Sequence, residues 1–151
     1  MSSGIEARAG QDRPPVACIY CRPFDEALHE IVGSCGSMYA RLDDSPATAG
    51  HLQIVPYRHV ESFFDMTDRE ARDFHSLARR MKRWLLERFH ADGFTLGVND
   101  GAAAGRSVAH LNVHIIPRRH GDVDDPRGGT RRILPGDPND WLNPGNPASR
   151  S

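Results

Sequence analysis

Apolar positions along this chain fall into two periods. Between residues 67 and 90 they return every three or four positions. Ala71, Phe74, Leu77, Ala78, Met81, Trp84 and Leu85 make one stripe, the spacing of an amphipathic helix. Thr67 and Glu70 form a capping box at its start, with Asp68 and Glu70 placing negative charge in the first turn. The opposite face carries Arg72, Asp73, Arg79, Lys82 and Arg83, the pattern of a solvated surface. His75 sits beside the stripe and is read as structural.

The other apolar runs are short and rich in β-branched residues, bounded by Gly, Pro and Asp. They predict strands at 31–34 and 37–42, joined by a turn at Cys35-Gly36. Further strands are predicted at 50–55, closed by Pro56, at 94–98 and at 107–118. Residues 24–30 predict a short helix with Leu28 inward. One long helix among several strands predicts an α+β domain: an antiparallel sheet with the helix packed on one face. In the strand 107–118, Ala109, Leu111, Val113 and Ile115 would share an apolar face. His110, Asn112 and His114 would line the other, roughly 7 Å apart.

Composition adds the boundaries. Residues 1–15 are small and polar and read as a flexible arm. Residues 16–120 hold the patterned domain, and 121–151 form a polar tail. Ile133, Leu134, Trp141 and Leu142 are the tail's strong apolar anchors, expected to pack on the domain or a neighbouring subunit. The net charge of −1 supplies no general field for nucleic acid. No apolar run is long enough to span a bilayer and no signal core is visible, so a cytoplasmic protein without membrane partners is expected. Of three cysteines, Cys18 and Cys21 form a C-x-x-C, which in that compartment suggests metal or redox chemistry. Cys35 is expected in the interior, and His29, His90 and His120 on the surface.

The chemistry concentrates before and along the 107–118 strand. Residues 99–105, NDGAAAG, make a small-residue loop whose backbone N–H groups suit phosphate oxygens. Arg106 adds charge, Ser107 a hydroxyl and His114 a further donor. Histidine serves as nucleophile or acid–base near neutral pH. The spacing fits phosphoryl or nucleotidyl transfer through a covalent histidine, and equally a metal site.

Residues 105–118, GRSVAHLNVHIIPR, resemble the signature of the histidine triad (HIT) family: alternating histidines, an upstream Ser-Val and a downstream Pro-Arg. The resemblance extends to Cys18 and Cys21, to Leu42-Asp43, to the stretch GHLQIVP at 50–56 with His59, and to Asn99. The tail from Gly121 to Gly129 resembles prokaryotic members close to dinucleoside-polyphosphate hydrolases. The family implies a HIT-like fold and a nucleotide hydrolase or nucleotidyltransferase. In it, the middle histidine attacks the α-phosphate and water resolves the nucleotidyl-histidine. By position, His110 would orient the middle residue, and His114, Ser107, Gly105, Arg106 and Asn99 would hold phosphate. Asp43 would accept from ribose hydroxyls, and Phe24 would help wall the base. The resemblance also implies a structural zinc on Cys18, Cys21, His59 and His110, no organic cofactor, and a homodimer.

Two positions depart from the family pattern. Asn112 replaces the middle histidine, and an amide is a very poor nucleophile. The chain as it stands is therefore expected to be inactive, in the manner of an engineered His-to-Asn trap; a natural nucleotide-binding pseudoenzyme is the alternative. Arg106 stands where the family has Gln, and its fixed charge points to a more anionic leaving group. The competing enzyme readings are a nucleoside phosphoramidase and cleavage of a nucleotidylated metabolite.

Overall fold

The computed structural model describes residues 18–135. The chain divides after Arg119 into two compact units. In the first, β1 (Ile31–Cys35), β2 (Met38–Leu42) and β3 (Leu52–Pro56) precede the helix α1 (Asp68–Phe89), and β4 (Gly93–Gly97) and β5 (Val113–Arg118) follow it. The sheet runs β1-β2-β3-β5-β4, with every neighbouring pair antiparallel. Among the described residues α1 is the one α-helix, and it packs on one face of this open sheet. This is the α+β architecture that the periodicities predict.

Alternation along the strands divides the sheet chemically. Met38, Ala40, Leu52, Ile54 and Ile115 turn to the helix and meet Leu77, Met81 and Leu85. The intervening residues Tyr39, Arg41, Gln53 and His114 take the other face. There Tyr39 and Val55 pack with Cys18 and Tyr20, from a segment that crosses that face. The entry to β3 is close to the end of α1. Gly50 has φ +87°, and an added Cβ would lie 2.8 Å from the Phe89 ring, so only glycine fits there.

The capping box forms as expected, with Thr67 accepting from the Glu70 amide and Glu70 accepting from the Thr67 amide. Glu70 also takes a forked pair from Arg58, at 2.8 Å and 2.9 Å. Chiefly through Arg58, its carboxyl is held down to about 2. A depressed carboxyl stabilises the fold above its unfolded value, and that stability is lost as pH falls toward 2. Because Arg58 is half exposed, the pair is worth about 2 kcal/mol after screening. Glu70→Gln should therefore unfold more easily in urea at pH 7, with the deficit vanishing toward pH 2. An equal deficit at both pH values would contradict this account.

Several expectations are corrected. Residues 24–30 form turns rather than a helix: Asp25 closes a single turn through the amides of Leu28 and His29, and the chain then enters β1. His29 is buried, not on the surface, with its Nε2 on the Ile19 carbonyl at 2.9 Å. Cys35 is only half-buried, and Ala71 and His75 are exposed because the sheet covers a narrower arc of α1 than the stripe spans. The final strand begins at Val113, six residues late. The amide of Leu111 bonds the Val60 carbonyl and that of His110 folds back on Val108, so residues 107–112 are not laddered. Ala109 is exposed in consequence, while Leu111 joins Val60 and Val113 in a separate cluster.

In the second unit Asp125 holds Arg127 by a forked ion pair before a 3-10 turn at Gly129–Ile133. Ile133 and Leu134 are 83% and 72% exposed. The arm 1–15, Trp141 and Leu142 lie outside the described residues.

Candidate active site and metal centre

Two polar clusters, with Asn112 between them, occupy the helix-free side of the sheet. The first contains Cys18, just before the short 3-10 turn Ile19–Cys21, and Cys21, its last residue, with His59 from beyond β3 and His110 from the segment before β5. The His110 ring is wholly buried and its Nε2 lies 2.9 Å from the Pro56 carbonyl. A carbonyl only accepts, so Nε2 carries the proton and Nδ1 presents a lone pair. That lone pair faces the Cys18 and Cys21 sulfurs at 3.4 and 3.5 Å. Burial pushes the imidazole down to about 4, which keeps it neutral. His59 Nδ1 lies 3.2 Å from the Cys21 sulfur. Tetrahedral ligands held at ~2.0–2.3 Å from one ion would show such separations. The donor set, its spacing and the His110 tautomer all fit zinc.

The second cluster is His51, His114 and Asp43. His51 lies just before β3, where Gln53 pairs with His114 of β5. The amide of Ala47 donates to His51 Nδ1 at 3.0 Å. The proton of a neutral His51 is therefore on Nε2, which lies 2.9 Å from His114 Nδ1. His114 must accept there, so its own proton sits on Nε2, as a donor. Asp43 Oδ2 stands 3.5 Å from both rings. Burial lowers the pKa of each histidine, with Asp43 opposing and, for His51, the neighbouring His114 adding to the fall. The three ligand atoms are close enough for a cation. A metal on His51 Nε2 would, however, need its other nitrogen to donate, and there it meets the Ala47 N–H. The geometry is that of a hydrogen-bond relay.

Asn112 lies between these clusters. Its Nδ2 donates to the His110 carbonyl at 3.1 Å, and its Oδ1 accepts from Gln53 Nε2 at 3.5 Å. Gln53 in turn accepts from Tyr20 Oη at 3.1 Å and Arg41 Nη1 at 2.7 Å. Arg41 is 2% exposed, bound also to Asp44 and the Leu28 carbonyl.

The structure thus brings together His110, Asn112, His114 and Asp43, and separately gathers Cys18, Cys21, His59 and His110. Asn99, Gly105 and Ser107 lie exposed on the neighbouring loop. Arg106 is not a bare cation: it pairs with the Glu61 carboxylate at 3.1 Å. Phe24 is 85% exposed and stacks on Tyr57. Sequence reasoning named His51 and Gln53 within the 50–56 stretch but gave them no role, and it passed over Arg41 and Tyr20. An arginine between Ala40 and Leu42, and a glutamine facing it from β3, were the available signal.

Among the described residues, one α-helix behind a five-stranded antiparallel sheet, with His110 and His114 on either side of Asn112, defines a recognisable class. The chain belongs to the HIT family: residues 25–121 match its profile, described as HIT domain. It is 39% identical over 88 residues to a Mycobacterium tuberculosis protein named AP-4-A phosphorylase, covering 58% of this chain and 45% of that protein. The chain thus spans less than half the length of that relative. It is 34% identical over 106 residues to a bis(5'-adenosyl)-triphosphatase of Dictyostelium discoideum, covering 70% and 71% of the two chains. Among solved structures it resembles a zinc-bound histidine triad family protein from Mycobacterium smegmatis, with TM-score 0.64 and 27% identity over 78% and 90% of the chains.

Proposed function

We propose that this chain binds a nucleotide phosphoanhydride, either a dinucleoside polyphosphate or a nucleotidylated metabolite. On this reading it carries the machinery for nucleotidyl transfer except the nucleophile. The observation that carries the reading is the Asn112 amide, bonded to the His110 carbonyl beside the His51–His114 relay. An imidazole in that place would donate Nδ1–H to the same carbonyl, leaving the Nε2 lone pair free to attack phosphorus. The N–P bond would form as the bridging P–O bond breaks, and water would later cleave N–P. An amide nitrogen has no comparable lone pair. The substrate class is supported by the phosphorylase and triphosphatase relatives.

His114 Nε2–H would donate to phosphate, joined by Asn99, Gly105, Arg106 and Ser107. Asp43 would accept from ribose. A polyphosphate would compete with Glu61 for Arg106, so an anionic leaving group gains from that exchange. Cys18, Cys21, His59 and His110 would hold a structural zinc. Two copies would pair as a homodimer, for which the outer strand β4 with its exposed Leu96 is available.

Titration with a diadenosine polyphosphate should show saturable binding with no release of nucleoside monophosphate over hours. Absence of binding across anhydrides and nucleotidylated metabolites would defeat the proposal. Binding should also strengthen as pH falls from 8 to 5. Burial lowers both histidine pKa values in the unliganded protein, and phosphate favours the protonated form. Affinity flat across that range would remove His114 from the phosphate contact.

A further inference from the structure

The hydrogen bonds around Asn112 have a fixed direction. Arg41 can only donate, so the Gln53 oxygen must face it, and Tyr20 bonds that same oxygen. The Gln53 NH2 is thereby turned toward residue 112. At the other end the His110 carbonyl can only accept. Residue 112 must therefore accept on one side and donate on the other. An amide does both from one carbon, with its oxygen toward Gln53 and its nitrogen toward His110.

An imidazole offers only Nδ1 and the carbon Cδ2 at the corresponding branch. It meets one demand or the other. With Nδ1–H on the His110 carbonyl, the Gln53 amide faces a C–H group. With Nδ1 accepting from Gln53, the proton moves to Nε2 and the nucleophilic lone pair is gone. We infer that Gln53, held by Arg41 and Tyr20, is a positioning residue that sets the tautomer of any imidazole at position 112. The relay is matched to the amide present in this chain, so Asn112 belongs with Gln53 and Arg41 and is not an isolated exchange. This rests on the nucleotidyl-transfer reading for its catalytic consequence, and on geometry alone for the tautomer.

The test compares Asn112→His with two double variants, adding Gln53→Glu or Gln53→Leu. Glutamate keeps an acceptor for Arg41 and Tyr20 but removes the donor facing position 112. It covers the case in which leucine, stranding Arg41, fails to fold. Nitrogen-15 NMR of the neutral ring distinguishes the two tautomers directly. The single variant should carry a substantial Nε2–H population, and the Glu double variant should be predominantly Nδ1–H. Nucleoside monophosphate release from diadenosine tetraphosphate should rise on the order of tenfold between them, since a wrong tautomer costs catalysis heavily. The same tautomer in the single and Glu variants would overturn the inference. A tautomer shift without turnover in any variant would uphold the relay and reject nucleotidyl transfer.

Discussion

Asn112→His should convert this chain from a binder into a catalyst. Nucleoside monophosphate release from diadenosine polyphosphates should rise by on the order of 10³-fold or more over the starting chain, because a covalent nucleophile is worth several powers of ten. The remaining parts are present: the His110 carbonyl to take Nδ1–H, and His114 with its proton on Nε2. The gain should fall short of a full nucleophile's worth, because Gln53 competes for Nδ1. Quenching turnover in alkaline detergent should trap a nucleotide on the protein through an N–P bond that acid then releases. Turnover without any trapped adduct would point to direct attack by water.

Protein purified without added metal should contain one zinc per chain. Removing a ligand by Cys21→Ser should lower zinc occupancy below half and cost about 3 kcal/mol, or roughly 10 °C in Tm. Burial and the neighbouring Cys18 thiol push Cys21 up to about 12, so without a cation the Cys21 thiol stays protonated. Ion binding would draw the four ligand atoms, already close together, onto one centre. The effect should reach the nucleotide site, since the residue whose ring faces the sulfurs also offers its carbonyl to Asn112. Cys21→Ser should thus weaken nucleotide binding as well. Zinc well under one per chain, with unchanged stability in the variant, would reject the metal centre.

Sequence patterns gave different parts of this molecule unequal resolution. The helix was legible almost to the residue because its cap and stripe are local features. The start of β5 was not. The alternation of Ala109, Leu111 and Val113 suits a strand, but a strand needs a neighbour, and Leu111 finds Val60. His29 was taken for a surface residue because nothing near it in sequence announces the Ile19 carbonyl that receives its proton. Arg106 was legible as a charge, but its partner Glu61 lies 45 positions away.

Residue pattern was enough to read the layers of the fold and to single out the segment around Asn112 as the proposed site. Those depend on residue type and periodic spacing. Where the protons sit follows from contacts made on folding. Ala47 sets His51 and through it His114, Pro56 sets His110, and Arg41 sets Gln53 and through it Asn112. A hydrogen bond takes its direction from the partner it meets, and most of these partners are brought in by folding.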